Sequence, residues 1–289
     1  MFQSVQRDAD GQPWGRAMVA ARPAPRWTVV IPFYNEAGFL EATLASLSAQ
    51  TLRPFRVVLI DNGSTDRSPQ IARAWARAQF GIEAVVVTEP QPGQVHALNR
   101  GLRLVTTQFV AVCDADTLYP PHYLAHGDAL FAASHDGIVA LLAHDAPADA
   151  QATGAQLRRL AYSYVIPAVL KNQAHAGGYA HLFRTQALAA AGGYDAALWP
   201  YVVKDHELIH RVLKQGALRY HPALWCQPSA RRSDRAAVRW TLTERIVYHA
   251  TPFVLKDWFF YRFLARRLQA RRQTDVVLRN QPWGAPVPA

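Results

Sequence analysis

The stretch Phe109-Val110-Ala111-Val112-Cys113-Asp114-Ala115-Asp116 decides the fold class, because an apolar run leads directly into two carboxylates separated by one small residue. A short, fully apolar run is typical of a strand that is buried on both faces in the middle of an α/β sheet. Pro120 and Pro121 follow and cannot continue a ladder of strand hydrogen bonds. We therefore expect the acids at the carboxyl end of a central strand, where open α/β sheets bind ligands.

Asp114 and Asp116 form a candidate metal site. Neighbouring carboxylates are costly to bury in their ionised form unless a partner neutralises them. Mg²⁺ or Mn²⁺ suits them, because a hard divalent cation takes oxygen ligands and usually holds substrate phosphates as well. The alternative is a solvated turn capped by an aspartate side chain, and the triplet alone does not distinguish the two.

The rest of the chain alternates between β-branched runs and amphipathic segments. The strand patterns are residues 27–32, 55–60, 84–87 and 138–143. The helical patterns are residues 39–50, 71–80, 95–105 and 157–173. Strands and helices that alternate at this spacing predict right-handed crossovers and a mainly parallel central sheet flanked by helices.

Composition limits the choice of partner. The chain has 289 residues, of which 50% are hydrophobic, so a sizeable core is expected. The formal net charge is +10, and residues 204–272 alone contain fifteen Lys or Arg against five Asp or Glu. A basic C-terminal third predicts an anionic partner: nucleic acid, a phosphate-bearing substrate or an anionic membrane surface. The paired acids argue against nucleic acid, because without a metal they would repel its phosphates.

Two further features predict a cytoplasmic location. Cys113 lies inside the apolar strand and is expected to be a buried, reduced thiol, and together with Cys226 it makes no metal-binding cluster. Residues 1–26 contain no apolar core of a signal peptide, and we expect them to form a loosely ordered lead.

Several motifs, in their order and spacing, resemble those of the family 2 glycosyltransferases. They are Val30-Ile31-Pro32-Phe33-Tyr34-Asn35-Glu36, Ile60-Asp61-Asn62-Gly63-Ser64-Thr65-Asp66, Ala97-Leu98-Asn99-Arg100-Gly101, Asp114-Ala115-Asp116, Gly177-Gly178-Tyr179 with Arg184, Gly192-Gly193-Tyr194-Asp195, and Lys204-Asp205-His206-Glu207-Leu208. Each motif is modest alone, but the ordered set is specific and covers residues 27–216.

The resemblance implies the GT-A fold and the transfer of a sugar from a nucleoside-diphosphate sugar to an acceptor hydroxyl, with inversion at the anomeric carbon. The glycosyltransferase domain would span residues 27–228, with a nucleotide-binding half at 27–146, an acceptor-binding half at 147–228 and a basic, aromatic extension at 229–289. We expect a UDP-sugar as donor, with GDP- or dTDP-sugars as alternatives. A carbohydrate or lipid-linked acceptor would place the enzyme in cell-surface polysaccharide or glycolipid synthesis.

The resemblance also assigns the donor-binding residues. It makes Asp116 the direct ligand of Mn²⁺ or Mg²⁺, and Asp114 a contact to the ribose or, through water, to the metal. Asp61 would accept a hydrogen bond from the imide N–H of a pyrimidine base. The residues that would border the base, ribose, phosphate or sugar are Pro32, Tyr34, Glu36, Gln94 and Asn99, while His96 is expected to be structural.

An inverting displacement needs a base that takes the proton of the attacking hydroxyl. The resemblance assigns this role to Asp205, with Glu207 as the alternative base and a simple helix cap as the alternative role of Asp205. Lys204 stands where the family usually has an acid, and its charge would keep Asp205 ionised and make it a weaker base. One alternative is that Lys204 faces an anionic group of the donor or acceptor. Another is that the chain is an inactive nucleotide-sugar-binding or interaction protein of the same fold.

The basic C-terminal part supplies further candidates. Arg231 and Arg239 are suited to bind the diphosphate as bidentate donors, with a solvated basic loop as the alternative. Processive relatives carry Gln-x-x-Arg-Trp; here Arg239-Trp240 is present but Ala236 replaces the Gln, so we do not infer polymerisation.

Residues 246–268 are rich in aromatic side chains but are interrupted by charges, so they are not expected to cross a bilayer. An amphipathic helix of this composition can lie on the cytoplasmic face of the inner membrane, where a lipid-linked acceptor would be presented. The alternative is a helix packed on the domain or against a second subunit. We expect a loose tail from Gln273 onward.

Overall fold

The apolar runs of the sequence pair into one sheet of eight strands, in the order β3-β2-β1-β4-β7-β6-β8-β5. The computed structural model describes residues 23–134, 137–145, 165, 173, 177–229 and 240–280. The strands are β1 (Trp27–Phe33), β2 (Phe55–Asp61), β3 (Ile82–Thr88), β4 (Phe109–Val112), β5 (Thr117–Leu118), β6 (Ile138–Asp145), β7 (His181–Arg184) and β8 (Ala217–Pro228).

The first half of the sheet is parallel, as predicted. β1 pairs with β2 and β4, and β2 pairs with β3, always in the parallel sense. The connecting helices are α1 (Leu40–Ser48), α2 (Ser68–Ala78) and α3 (Gln94–Leu102). Because parallel strands end at one edge, the loops that follow β1, β2 and β4 meet there.

The acidic stretch lies at the centre of the molecule. Val110, Ala111 and Cys113 are fully buried, so the expectation of a doubly covered strand and a buried thiol is confirmed. Strand β4 ends at Val112, before the acids, and β5 directly after Asp116 forms a short antiparallel pair with the end of β8.

The second half of the sheet is mixed. β7 runs antiparallel to both β4 and β6, and β6 pairs in parallel with β8. Its helices are α4 (Tyr123–Ala132), α5 (Thr185–Ala190) and α6 (Lys204–Val212). The predicted boundary at residue 147, and most of the helix predicted at residues 157–173, lie outside the described residues, as does nearly all of the N-terminal lead.

Most of the aromatic C-terminal residues form a second core. Helix α7 (Leu242–Ala250) is followed by α8, a continuous helix of three segments: Lys256–Trp258, the π-helical Phe259–Leu264, and Ala265–Ala270. The buried members of this core are Trp199, Val202, Tyr248, Phe259, Phe260, Leu264 and Leu268. Most of the aromatic side chains in this segment are therefore packed on the domain, which is the alternative to a membrane-facing helix. In the described part of the chain, no helix combines the length and apolar character needed to traverse a bilayer.

The expectation of a loose tail from Gln273 is wrong for the residues that the structure describes. Asp275–Asn280 form a 3₁₀ helix, and Asp275 is 6% exposed. Its Oδ2 accepts a hydrogen bond of 2.9 Å from the backbone N–H of Val95, at the start of α3. A carboxylate at a helix N-terminus satisfies an otherwise unpaired N–H group and complements the helix dipole, so this contact pins the segment to the domain.

Candidate active site

The paired acids lie between α3 and the end of β8. Asp114 is partly exposed, and its Oδ1 accepts a hydrogen bond of 3.1 Å from the side-chain amide of Gln94. Asp116 is 6% exposed, and its Oδ2 accepts a hydrogen bond of 2.8 Å from the hydroxyl of Ser229. The burial of Asp116 is unlike that of a side chain in a solvated turn.

The donor atoms at these acids fit a hard cation only in part. The residues that the structure describes contain no group of three or more His, Cys, Asp or Glu side chains able to hold a metal. Mg²⁺ is commonly bound by one or two carboxylates together with substrate phosphates and water. Asp114 and Asp116 therefore fit an ion whose coordination is completed by a phosphate-bearing substrate.

The loops after β1 and β2 are tied to each other. Asp61, which ends β2, is 6% exposed and accepts a hydrogen bond of 2.8 Å at Oδ1 from the N–H of Ser64. Asn35 accepts a hydrogen bond of 2.8 Å from the N–H of Thr65. Asn35 has a φ of 53°, a left-handed conformation that Asn adopts more readily than most residues. These contacts fix the position of Asp61 at the edge of the sheet.

The other predicted donor residues are distributed along the same edge. Pro32 is buried within β1, whereas Tyr34 and Glu36 are partly exposed in the loop that follows. Asn99 is on α3 and donates a hydrogen bond of 2.9 Å to the carbonyl of Tyr194. Gln94 therefore reaches the acids, while Asn99 braces the segment that carries Tyr194.

Asp205, the second residue of α6, is held in place from two sides. The hydroxyl of Tyr194 donates a hydrogen bond of 3.0 Å to its Oδ1. Gly178 packs so closely against the carboxylate that a Cβ atom there would overlap it. Asp205 as a whole is partly exposed.

The surroundings of Asp205 favour its ionised form. Burial by itself raises the pKa of this carboxyl, because it penalises the charged form. The positive charge of Lys204, the nearby His181 and His206, and the hydrogen bond from Tyr194 outweigh that penalty and hold the pKa below its usual value. This agrees with the effect of Lys204 expected from the sequence.

Lys204 itself does not face a substrate, so that expectation is wrong. Its ammonium forms a buried ion pair of 3.0 Å with Asp275. Burial alone lowers the pKa of Lys204, but Asp275 and Asp205 outweigh this effect and raise it. This pair could not be predicted from the sequence, because the two residues are distant along the chain and meet only in the folded protein.

Glu207 is unsuited to be the alternative base. It is 1% exposed, and its two oxygens accept hydrogen bonds of 2.6 and 2.8 Å from the guanidinium of Arg211. Tyr261 also donates a hydrogen bond of 2.5 Å to it. A carboxylate that is saturated and sealed in this way stabilises the packing of α6 against α8.

Two hydrogen bonds and one close packing contact connect Asp114 to Asp205. The N–H of Asp114 donates to the hydroxyl of the buried Tyr119 at 3.0 Å, and that hydroxyl donates to the carbonyl of Tyr179 at 3.0 Å. Tyr179 directly follows Gly178, which rests on Asp205. Two sides of one cleft are therefore held in a fixed relation.

Sequence reasoning missed four of these residues. Gly178 and Tyr194 lie inside motifs that were recognised, so the motifs were a usable signal for them. Tyr119 and Ser229 carry no such signal, because their contacts depend on how separate strands end beside one another. The candidates Arg231 and Arg239 lie outside the described residues.

Among curated proteins, the chain is 36% identical over 103 residues to the PGL/p-HBAD biosynthesis glycosyltransferase of Mycobacterium bovis (strain BCG / Pasteur 1173P2). The match covers 35% of this chain and only 40% of that relative. It thus includes well under two thirds of the relative's length.

Solved structures of glycosyltransferases share the architecture. The mannosyltransferase PcManGT from Pyrobaculum calidifontis, in complex with GDP-Man and Mn²⁺, superposes with a TM-score of 0.61 at 21% identity, over 86% of this chain and 73% of that one. Glucosyl-3-phosphoglycerate synthase from Mycobacterium tuberculosis, in complex with Mn²⁺, UDP and glucosyl-3-phosphoglycerate, superposes with a TM-score of 0.51 at 18% identity. The superposition covers 78% of this chain and 80% of that one.

The likeness in fold agrees with the match to a sequence family. The model of the family described as Glycosyl transferase family 2 matches residues 28–190, which is more than half of the chain. The protein has the predicted GT-A fold. It belongs to the glycosyl transferase family 2.

Proposed function

We propose that the protein is an inverting, metal-dependent glycosyltransferase that moves a sugar from a nucleoside-diphosphate sugar to an acceptor hydroxyl. The observation that carries this proposal is the hydrogen-bonded path from Asp114 through Tyr119 to Tyr179, beside Gly178 and Asp205. This path connects Asp114 and Asp116, which suit a metal–diphosphate complex, to the neighbourhood of Asp205, whose carboxylate suits the acceptance of a proton. Family membership supports the same class of reaction.

The spacing of the strand ends supports a nucleoside diphosphate as part of the donor. β2 and β4 lie on either side of β1, so their ends are separated by about 10 Å, twice the distance between neighbouring strands. Asp61 at one end would accept the imide N–H of a base, and Asp114 and Asp116 at the other would face the diphosphate. UDP is the donor nucleotide that we expect from the family resemblance; among the structural neighbours, one was solved with GDP-Man and one with UDP.

Asp116, with Asp114, would hold Mn²⁺ or Mg²⁺. When bound, such an ion neutralises the charge that develops on the departing diphosphate. Two structural neighbours were solved with Mn²⁺, which supports the assignment. Gln94 and Ser229 orient the two carboxylates through the hydrogen bonds described above.

Asp205 would act as the base. Its lowered pKa keeps it ionised at neutral pH, so it accepts the proton of the acceptor hydroxyl as that oxygen attacks the anomeric carbon. Tyr194 and Gly178 fix its position. The donor's bond to the diphosphate breaks on the opposite face of the sugar, which gives inversion.

A thermal-shift panel tests the donor assignment against the alternative of an inactive protein. UDP, GDP, dTDP and their sugars are compared with and without Mn²⁺. We expect the largest rise in melting temperature with UDP or a UDP-sugar, and only with the metal present. Absence of a shift with every nucleotide would contradict donor binding, whereas binding without metal-dependent transfer or hydrolysis of the donor would favour the inactive alternative.

Tyr194→Phe is expected to move the acidic limb of the pH–rate profile to higher pH. The variant removes a hydrogen bond that lowers the pKa of Asp205, so Asp205 becomes protonated at a higher pH as the solution is acidified. Near neutral pH the rate should fall by less than about tenfold, the cost of one hydrogen bond. Tyr201→Phe is the matched control. If the acidic limb did not shift, Asp205 would not be the group whose protonation limits transfer.

A membrane surface is the proposed source of a lipid-linked acceptor. Val254, Leu255 and Trp258 are 84%, 54% and 50% exposed, and the exposed Arg262 and Arg266 follow Trp258 at intervals of four residues. Apolar side chains beside cations suit the surface of an anionic bilayer. The related mycobacterial protein is named as a PGL/p-HBAD biosynthesis glycosyltransferase.

Sedimentation with anionic liposomes at low salt tests this contact. We expect the protein to pellet, and Trp258→Glu to lose most of that binding. Phe80→Glu is the control, because Phe80 is 80% exposed but lies between α2 and β3. Failure of the unaltered protein to pellet, or an equal loss in both variants, would exclude the proposed contact.

A further inference from the structure

The C-terminal segment Asp275–Asn280 reaches the end of the cleft where the nucleobase is proposed to bind. Arg279 donates a hydrogen bond of 3.0 Å from Nη1 to Oδ1 of Asn62, and one of 3.3 Å from Nη2 to the carbonyl of Gly63. Its guanidinium carbon lies 3.6 Å from the centroid of the Tyr34 ring. Arg279 thus contacts the loops after both β1 and β2.

The segment is anchored firmly enough to place this side chain. Asp275 accepts the N–H of Val95 and pairs with Lys204, so it joins α3 to α6. Gly93, just before α3, has a φ of 127°, and a Cβ atom there would lie 3.1 Å from the carboxylate of Asp275. Two buried ionic groups and a close backbone contact fix the start of the segment, one turn before Arg279.

The guanidinium still has N–H groups to offer. Arg carries five N–H donors in a rigid plane, and one from each terminal nitrogen suffices for the contacts with Asn62 and Gly63. The imide edge of uracil or thymine presents one N–H between two carbonyl oxygens. Asp61 suits the N–H, and the carbonyl oxygens require donors close to Asp61. Arg279 lies against the two residues that directly follow Asp61 in sequence.

We propose that Arg279 is a nucleobase-recognition residue that donates a hydrogen bond to a carbonyl oxygen of a pyrimidine base bound at Asp61. This inference rests on the proposed function, since it assumes that a nucleotide donor binds in this cleft. The contact with Tyr34 holds the guanidinium plane in position before the base arrives. Base recognition is then completed by a residue outside residues 28–190, the part of the chain that the family model matches.

Calorimetric titration of UDP in the presence of Mn²⁺ tests the proposal on the full chain. We expect Arg279→Ala to bind UDP about tenfold more weakly, which is the effect of one charge-assisted hydrogen bond. Arg279→Lys should restore little of the lost affinity for UDP, because an ammonium group does not reproduce the planar set of N–H donors of a guanidinium. Arg73→Ala, which removes an exposed arginine from α2, is the matched control and should leave the affinity unchanged.

Competition by uridine separates the base from the diphosphate. If Arg279 contacts the base, Arg279→Ala weakens uridine and UDP by the same factor; a loss confined to UDP would assign the guanidinium to the phosphates and overturn the proposal. Unchanged UDP affinity would overturn it too, and tighter binding would identify Arg279 as a group that occludes the site. Melting temperatures without ligand verify that both Arg279 variants fold. If the unaltered protein binds no nucleotide, the proposed function fails as well.

Discussion

Asp205→Asn is expected to reduce the rate of sugar transfer by about 10²–10⁴-fold, the usual contribution of a general base. The amide keeps the size of the side chain and still accepts the hydrogen bond from Tyr194, but it does not take up a proton. Binding of UDP in the presence of Mn²⁺ should change little, because the donor is assigned to other residues. Initial rates of transfer and calorimetric titration of UDP measure the two effects separately.

Asp128→Asn is the matched control for this substitution. Asp128 bonds the indole of Trp27 and the guanidinium of Arg26, outside the proposed site. Full transfer by Asp205→Asn would remove Asp205 from the mechanism. Since Glu207 is saturated by Arg211 and Tyr261, a group other than Asp205 and Glu207 would then have to take up the proton.

Gly178→Ala is expected to lower transfer by about a hundredfold while UDP binding is retained. The added methyl group would overlap the carboxylate of Asp205, so that side chain must move. A displacement of about 1 Å in a reacting group is enough for a loss of this size. Steady-state kinetics and UDP titration again provide the two readouts.

Gly137→Ala provides the control, because a Cβ atom there would meet nothing within 4 Å. If Gly178→Ala kept full activity, the close contact with Asp205 would have no bearing on transfer. If it abolished UDP binding instead, Gly178 would belong to the donor side of the cleft. Comparison of melting temperatures shows whether either glycine variant has lost stability.

The parallel half of the sheet could be predicted because its information is local. Each strand is a short apolar run and each crossover an amphipathic helix, so order and spacing sufficed to place Asp61 and Asp114 at one edge. The motifs around Gly178, Tyr194 and Asp205 were also recognisable. Their mutual contacts were not, since these depend on β7 inserting antiparallel beside β4.

The errors all concern contacts made across long sequence separations. Lys204 reads as a charge available to a substrate, but it is neutralised by Asp275. Asp275 reads as part of a polar tail, but it caps α3 by accepting the N–H of Val95, which lies 180 residues earlier in the chain. The aromatic stretch around Phe260 reads equally well as a membrane face or a core; in the fold, Phe260 is buried against Trp199 while Trp258 stays exposed. Periodicity does not encode which surface an element will meet.

The central claim is that Asp116 and a divalent cation together hold the diphosphate of the donor. Calorimetric titration of UDP with Mn²⁺, and again with a chelator, tests it on the unaltered protein and on Asp116→Asn. We predict that Mn²⁺ strengthens UDP binding at least about tenfold in the unaltered protein and has almost no effect in the variant. Equal affinity with Mn²⁺ and with the chelator, or an undiminished effect of Mn²⁺ in Asp116→Asn, would contradict the account.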